Sequence, residues 1–180
     1  MEISFLKEDL IKIKGKANDK KVEVTLDLGE NKPWRGKIPK SDILISQRIE
    51  KEITFPFLIN IQGEYEKNGV LIKYFIQKSQ KSFEIKLEDM KIVGILSERE
   101  KFEESKELFS GDIFILKGKK TFVKKAIQEL EGKIFIPVLS PKEKNTFLKE
   151  MRIKKENLYQ KLKIKKEDIL KKRKEIALLV

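Results

Sequence analysis

Whatever chemistry this chain performs, it performs without histidine or cysteine, since neither occurs among its 180 residues. Ser-His-Asp and Cys-His mechanisms, thiolate metal sites and disulfides are therefore excluded within the chain. Carboxylates and lysines remain. Glu50, Glu52, Glu98 and Glu100 could serve a hard cation such as Mg²⁺ or Mn²⁺, which accepts oxygen ligands. They are interleaved with Arg48, Lys51 and Arg99, as charges on a solvated loop are. Two of them close the stretch SDILISQRIEKE, Ser41 to Glu52. There the apolar run Ile43 to Ile45 gives way to polar residues without Gly or Pro. A buried strand with such a tail delivers Gln47, Arg48, Ile49, Glu50, Lys51 and Glu52 at its end. The basic stretch Lys117-Gly118-Lys119-Lys120-Thr121 superficially suggests a phosphate loop. However, Ile113 stands where the first glycine of that pattern belongs. It reads as an ordinary loop before a helix, able at most to hold a phosphate weakly.

Charge supplies the other candidate surface. The chain has 41 basic and 29 acidic residues, a net charge of +12. Residues 141–180 hold 14 of the basic and 6 of the acidic ones. Lys161, Lys163, Lys165, Lys166, Lys171, Lys172, Arg173 and Lys174 could present a phosphate-binding face, with sequence-independent, salt-sensitive affinity. Tyr159 is the only aromatic beyond Phe147, so no base-stacking platform is evident. A solvated lysine face is the plainer reading. Trp34, in Pro33-Trp34-Arg35-Gly36, either marks a partner surface or covers a core edge.

These residues need a scaffold, and the chain is long enough to bury a core without staples. The fold class expected is α/β in a single domain, residues 1–180. Apolar or alternating segments mark strands at Ile3–Phe5, Leu10–Ile13, Val22–Leu28, Ile43–Ile45, Phe57–Ile61, Val70–Ile76, Phe83–Leu87 and Ile92–Leu96. Gly15 and the Ala17-Asn18-Asp19 turn separate two of them, and Glu88-Asp89 reads as a tight hairpin. From residue 98 the pattern changes. Glu98–Phe109 has helical composition. Asp112–Leu116 and Lys133–Leu139 read as strands around a helix capped by Thr121 and ended by Gly132. Ser140-Pro141-Lys142-Glu143 has the form of a capping box opening a helix to about Met151. Lys154–Lys174 fits one long basic helix on composition. Lys161–Ile164 and Ile176–Val180 fit strands equally well. The start, MEISFLKEDL, lacks an apolar leader segment, and no run nears the roughly 20 apolar residues that span a bilayer. A cytoplasmic protein without membrane contact is expected.

In order and spacing, several stretches resemble the metallo-β-lactamase fold family, in the branch of small metal-dependent hydrolases related to ascorbate-6-phosphate lactonase. Gly63-Glu64-Tyr65-Glu66-Lys67-Asn68-Gly69-Val70 resembles that branch's P-G-E-Y-E-x-x-G-V, with Gln62 in place of the proline. Glu88-Asp89-Met90-Lys91-Ile92 resembles its hairpin before a strand. Asp112 to Leu116, the helix from Thr121 and Lys133 to Pro137 resemble its D-I-L-L-I, helix, K-I-V-I-P succession. Phe147 to Met151 and Lys161 to Ile164 resemble its C-terminal F-L-K-E-M and strand. The resemblance implies an αββα sandwich: a β-rich N-terminal half, then β-α-β-α, then C-terminal strands.

It also implies where metal ligands belong. The family's H-x-H-x-D-H falls, in register, on Gln47, Ile49, Lys51 and Glu52. Its bridging aspartate falls on Ser97 and its late histidine on Leu139. The loop for its middle histidine is shortened around Gln77 to Lys81. Zinc needs imidazole nitrogens and carboxylates. Isoleucine cannot ligate, and a lysine ammonium repels a cation. The expectation is a chain without metal or other cofactor, not an enzyme, in a binding or scaffolding role with a protein partner. The alternatives are nucleic-acid binding through the C-terminal lysines, and a residual hydrolase with a carboxylate-only metal site. The missing imidazoles could also come from a second chain across an interface.

Overall fold

The computed structural model of the protein describes residues 1–7, 9–29, 40–46, 55, 57–77, 80–97, 110–171 and 174–180. Two mixed sheets stack face to face. The first has the order β13-β1-β2-β3-β4-β5, built from β1 (Glu2–Lys7), β2 (Leu10–Ala17), β3 (Lys20–Asp27), β4 (Ile43–Ser46), β5 (Leu58–Ile59) and β13 (Lys161–Lys163). The second has the order β14-β11-β10-β9-β8-β7-β6. It comprises β6 (Gly63–Lys67), β7 (Val70–Gln77), β8 (Gln80–Leu87), β9 (Met90–Ser97), β10 (Ile113–Gly118), β11 (Ile134–Val138) and β14 (Glu175–Ile176). A short parallel pair, β12 (Leu158–Tyr159) and β15 (Leu178–Leu179), adjoins it.

Alternation explains the stacking. Ile11 and Ile13 of β2 and Val22, Val24 and Leu26 of β3 point into the space between the sheets. Tyr74, Phe83, Ile85, Ile92 and Ile115 meet them from the second sheet. Burial in this layer pushes the Tyr74 hydroxyl up to about 12. β10 and β11, by contrast, are buried along nearly their whole length. Both faces of such strands are covered, as parallel strands require. The cover is helical. α1 (Lys120–Glu129) and α2 (Pro141–Glu150) lay Phe122, Val123, Ala126, Ile127 and Phe147 on Val93, Ile95, Phe114 and Leu116. A third helix, α3 (Lys166–Lys171), instead sends Ile169 into the layer between the sheets. Among the described residues no helix lies on the outer face of the first sheet. That face carries Lys12, Lys14, Lys16, Lys21 and Glu23 in alternation with the buried apolar side chains.

Several expectations need correction. Gly15 does not interrupt β2; a Cβ there would come within 2.7 Å of Leu87, so its glycine serves packing. Likewise a Cβ at Gly132 would meet Phe114 at 2.4 Å. Gly63–Lys67 forms a strand that residue pattern alone did not mark. The stretch from Lys154 to Lys174 is no single helix. It contains a 3₁₀ turn, β12, β13 and α3.

The helix caps also differ. Ser140 Oγ donates to Glu143 at 2.7 Å and caps no backbone amide of α2. The other Glu143 oxygen accepts from the Lys120 backbone amide at 3.0 Å, so the carboxylate of α2 caps α1. That amide, and then Ser140, hold the Glu143 carboxyl below the usual carboxylate range. The stretch 98–109, Trp34 and Gln47 to Glu52 lie outside the described residues.

Candidate functional site

Parallel pairing brings strand ends to one edge of the sandwich. Asp27 pairs with Ser46 in the first sheet, and Ser97 with Gly118 in the second. Val138, the last residue of β11, pairs with Lys117, which puts Leu139 at the same edge. Open sheets with parallel strands commonly bind ligands outside their carboxyl ends.

The polar groups here are buried and engaged. Asp27 is 1% exposed. One of its carboxylate oxygens accepts from Ser46 Oγ at 2.9 Å, and the other from the Gly29 amide at 3.1 Å. The buried carboxyl group is thus held by two donors, as a buried polar group must be. Ser46 and Ser97 are also buried. Lys117 ties the two sheets together: its ammonium, on β10, donates to the Asp9 carboxylate and to the Leu28 carbonyl. Residue pattern marked neither Asp27 nor the Lys117–Asp9 pair as functional. The available signal was Leu26-Asp27-Leu28, a carboxylate inside an apolar run.

Of the positions the resemblance assigns to metal ligands, the described residues include two, Ser97 and Leu139. Neither is an imidazole or a carboxylate. Among the described residues no group of three or more His, Cys, Asp or Glu side chains converges on a common point. Asp27, the carboxylate at this edge, has both oxygens occupied by the Ser46 and Gly29 donors. The described donor set does not fit zinc, and no chemical step is derived through it.

Beside the strand ends opens a pocket of about 430 Å³, with Leu139 in its wall. Phe5 and Leu6 come from β1, Pro141 and Lys144 from α2, and Leu178 and Leu179 from β15. Among the described residues of the lining, Lys144 has the one charged side chain. Its ammonium donates to the Leu179 carbonyl at 3.3 Å, and burial lowers its pKa. Sequence reasoning missed this lysine. Its signal was a position three residues before Phe147, on the flank of the buried stripe of α2.

The lysines expected to form one C-terminal face are dispersed. Lys161 and Lys163 lie exposed on β13, paired with Ser4 and Glu2 of β1. Lys166 instead binds the Asp89 carbonyl and the Asp112 carboxylate. Lys174 donates to the Leu130 carbonyl and stands 4.8 Å from the Phe135 ring centre. Lys165 and Lys171 are exposed, and Lys172 and Arg173 lie outside the described residues.

Stacked mixed sheets with helices on one of them, and strand ends gathered at one edge, define a layered α/β sandwich. The chain is similar to a solved structure from Thermotoga maritima, a "putative Zn-dependent hydrolase of the metallo-beta-lactamase superfamily". The likeness covers 100% of both chains, with a TM-score of 0.70 and 17% identity. At that identity it shows the metallo-β-lactamase fold. No family model matches the chain, and no curated protein matches it. The likeness corrects one expectation. The chain was read as not an enzyme because its ligand positions lack imidazoles, yet the neighbour points to an enzyme family. No helix among the described residues is long and apolar enough to cross a membrane.

Proposed function

We propose that this chain binds a small ligand at the strand-end edge of a metallo-β-lactamase sandwich. In this reading it derives from the ascorbate-6-phosphate-lactonase-like branch, with the metal-ligand positions replaced at Gln47, Ile49, Lys51, Glu52, Ser97 and Leu139. One observation carries the reading: Leu139, where that branch places a histidine, is a wall of the 430 Å³ apolar pocket. Pockets of roughly 300–1,000 Å³ with few polar groups are the usual form of small-molecule sites. Melting curves with small amphiphiles, Zn²⁺, Mn²⁺ and Mg²⁺ test it, run beside lactone and phosphodiester hydrolysis assays. A ligand at 100 times its Kd adds about 2.7 kcal/mol to stability. The expected result is a shift with an organic ligand. Metal-dependent turnover would instead make the pocket a substrate site of a hydrolase, with Glu50, Glu52 and Glu98 the first residues to substitute.

A second reading, polyanion binding, is favoured by register. Pairing places Lys161 and Lys163 one strand away from Lys12 and Lys14, with β1 between. Lys14, Lys16, Lys21, Lys161 and Lys163 are exposed on the first sheet and its edge, against Glu2 and Glu23. In this reading the surface is built by both ends of the chain, not by the C-terminal lysines alone. Affinity for a DNA duplex should then fall steeply between 50 and 200 mM salt, by orders of magnitude if many phosphates are contacted. The double variant Lys161→Glu/Lys163→Glu should weaken it further. Binding indifferent to salt or to this double variant would refute the surface.

A further inference from the structure

We propose that the pocket between β1, α2 and β15 takes an amphiphilic monoanion, a carboxylate with an unbranched apolar tail, whose head sits on Lys144 and whose tail lies along Leu6, Leu139 and Leu178. The inference rests on the ligand-binding reading above and names the ligand class.

The pocket wall dictates both halves of this ligand. Among the described residues of the lining, every side chain but one is apolar and none is a carboxylate. Leu6 is 41% exposed and Val180 51%, so apolar surface is wet at the rim and would gain by cover. A single lysine then decides the head group. Lys144 carries three donors, and its recorded partner is one neutral carbonyl at 3.3 Å, long for such a bond. Burial lowers its pKa, and among the described residues no carboxylate pairs with it. An anion entering the pocket supplies the missing countercharge and makes a charge-assisted hydrogen bond.

The same geometry argues against a dianion or a phosphate. Three of the first four positions of α2, Pro141, Glu143 and Lys144, offer no spare backbone donor. Pro141 has no N–H, and the amides of Glu143 and Lys144 both bind the Ser140 carbonyl at 3.0 Å. Across the helix start, the Lys120 amide is held by Glu143. One cation with few amides to support it suits one negative charge. The net charge of +12 favours the approach of anions over cations.

Calorimetric titration with decanoate, decanol and decyltrimethylammonium tests the proposal on the wild-type chain and two variants. Lys144→Met keeps the aliphatic stem and the fold. It should weaken decanoate by about tenfold or more, the worth of a charge-assisted hydrogen bond, and leave decanol unchanged. Leu139→Glu places a like charge in the wall, so it should abolish decanoate binding and admit the ammonium amphiphile. Equal affinity of the wild type for decanoate and decanol, or no effect of Lys144→Met, would overturn the anion site while leaving an apolar pocket. Binding of none of the three would overturn the pocket itself and, with it, the ligand-binding reading. Decanoate binding that survives Leu139→Glu intact would place the ligand elsewhere and likewise overturn the site.

Discussion

Gly94→Ala is expected to unfold the protein or to remove at least ~3 kcal/mol of its stability, the upper range of overpacking. Gly94 is buried at the middle of β9, directly across from Phe83 of β8. A Cβ built there would lie 2.0 Å from Phe83 Cζ and 2.2 Å from Cε1. The ring therefore lies over the glycine, and neither side has room to move. Phe83 is 1% exposed and packed in the layer between the sheets. On its other side, Gly94 pairs with Ile115 of β10, so β9 cannot retreat without breaking the parallel ladder. Urea unfolding of Gly94→Ala, Phe83→Leu and the double variant is the check. Phe83→Leu alone leaves a cavity and destabilises. Combined with Gly94→Ala, the smaller side chain makes room for the methyl, so the double variant should be more stable than Gly94→Ala alone. That non-additivity is the sign of direct contact. Additive losses would mean that the ring does not cover Gly94.

Local chemistry explains which parts of this fold were legible in the sequence. The Asn18-Asp19 and Glu88-Asp89 turns were read as turns. In the structure both residues of each have positive φ, as do Asn68 and Gly69. Two-residue turns of this kind match the right-handed twist of the strands they join. Alternation likewise marked β3, β7, β8 and β9, because each has a face on the layer between the sheets. What was not legible depends on contacts between distant segments. Glu143 lies three residues after a serine and so reads as half of a capping box. Its carboxylate instead bridges to Lys120, 23 residues away. Gly15 reads as a breaker and is in fact a close-packing point against Leu87, whereas Gly132 follows the end of α1 and also packs against Phe114.

The candidate site follows the same division. The family resemblance singles out Leu139 and Ser97, and the strands that carry them end at one edge. The groups that structure this edge, Asp27 with Ser46 and Lys117 with Asp9, join residues 19 and 108 positions apart. No spacing rule reaches that far. The basic tail is the converse case. Composition grouped its lysines, but Lys161 and Lys163 went to a sheet edge and Lys166 and Lys174 to separate partners.

Phe147→Ala should cost about 3–5 kcal/mol, the range for removing a fully buried phenylalanine. It should cost ligand binding as well. α2 has a single fully buried side chain, Phe147, at 0% exposure. It docks the helix on the cluster formed by Phe114, Leu116 and Phe122, which also contains Leu178. Pro141 and Lys144, on the same helix, line the pocket, and so does Leu178. Loosening the anchor therefore moves the cation relative to the apolar wall. Phe147→Leu fills most of the volume and should retain binding with a smaller loss of stability. The pair is read by urea unfolding and by decanoate titration below the unfolding transition. If Phe147→Ala stayed folded and bound decanoate as tightly as the wild type, α2 would not be the wall that positions the ligand. If both variants lose stability but only Phe147→Ala loses affinity, the pocket depends on the seating of α2, and one buried ring links the core beneath the helices to the site.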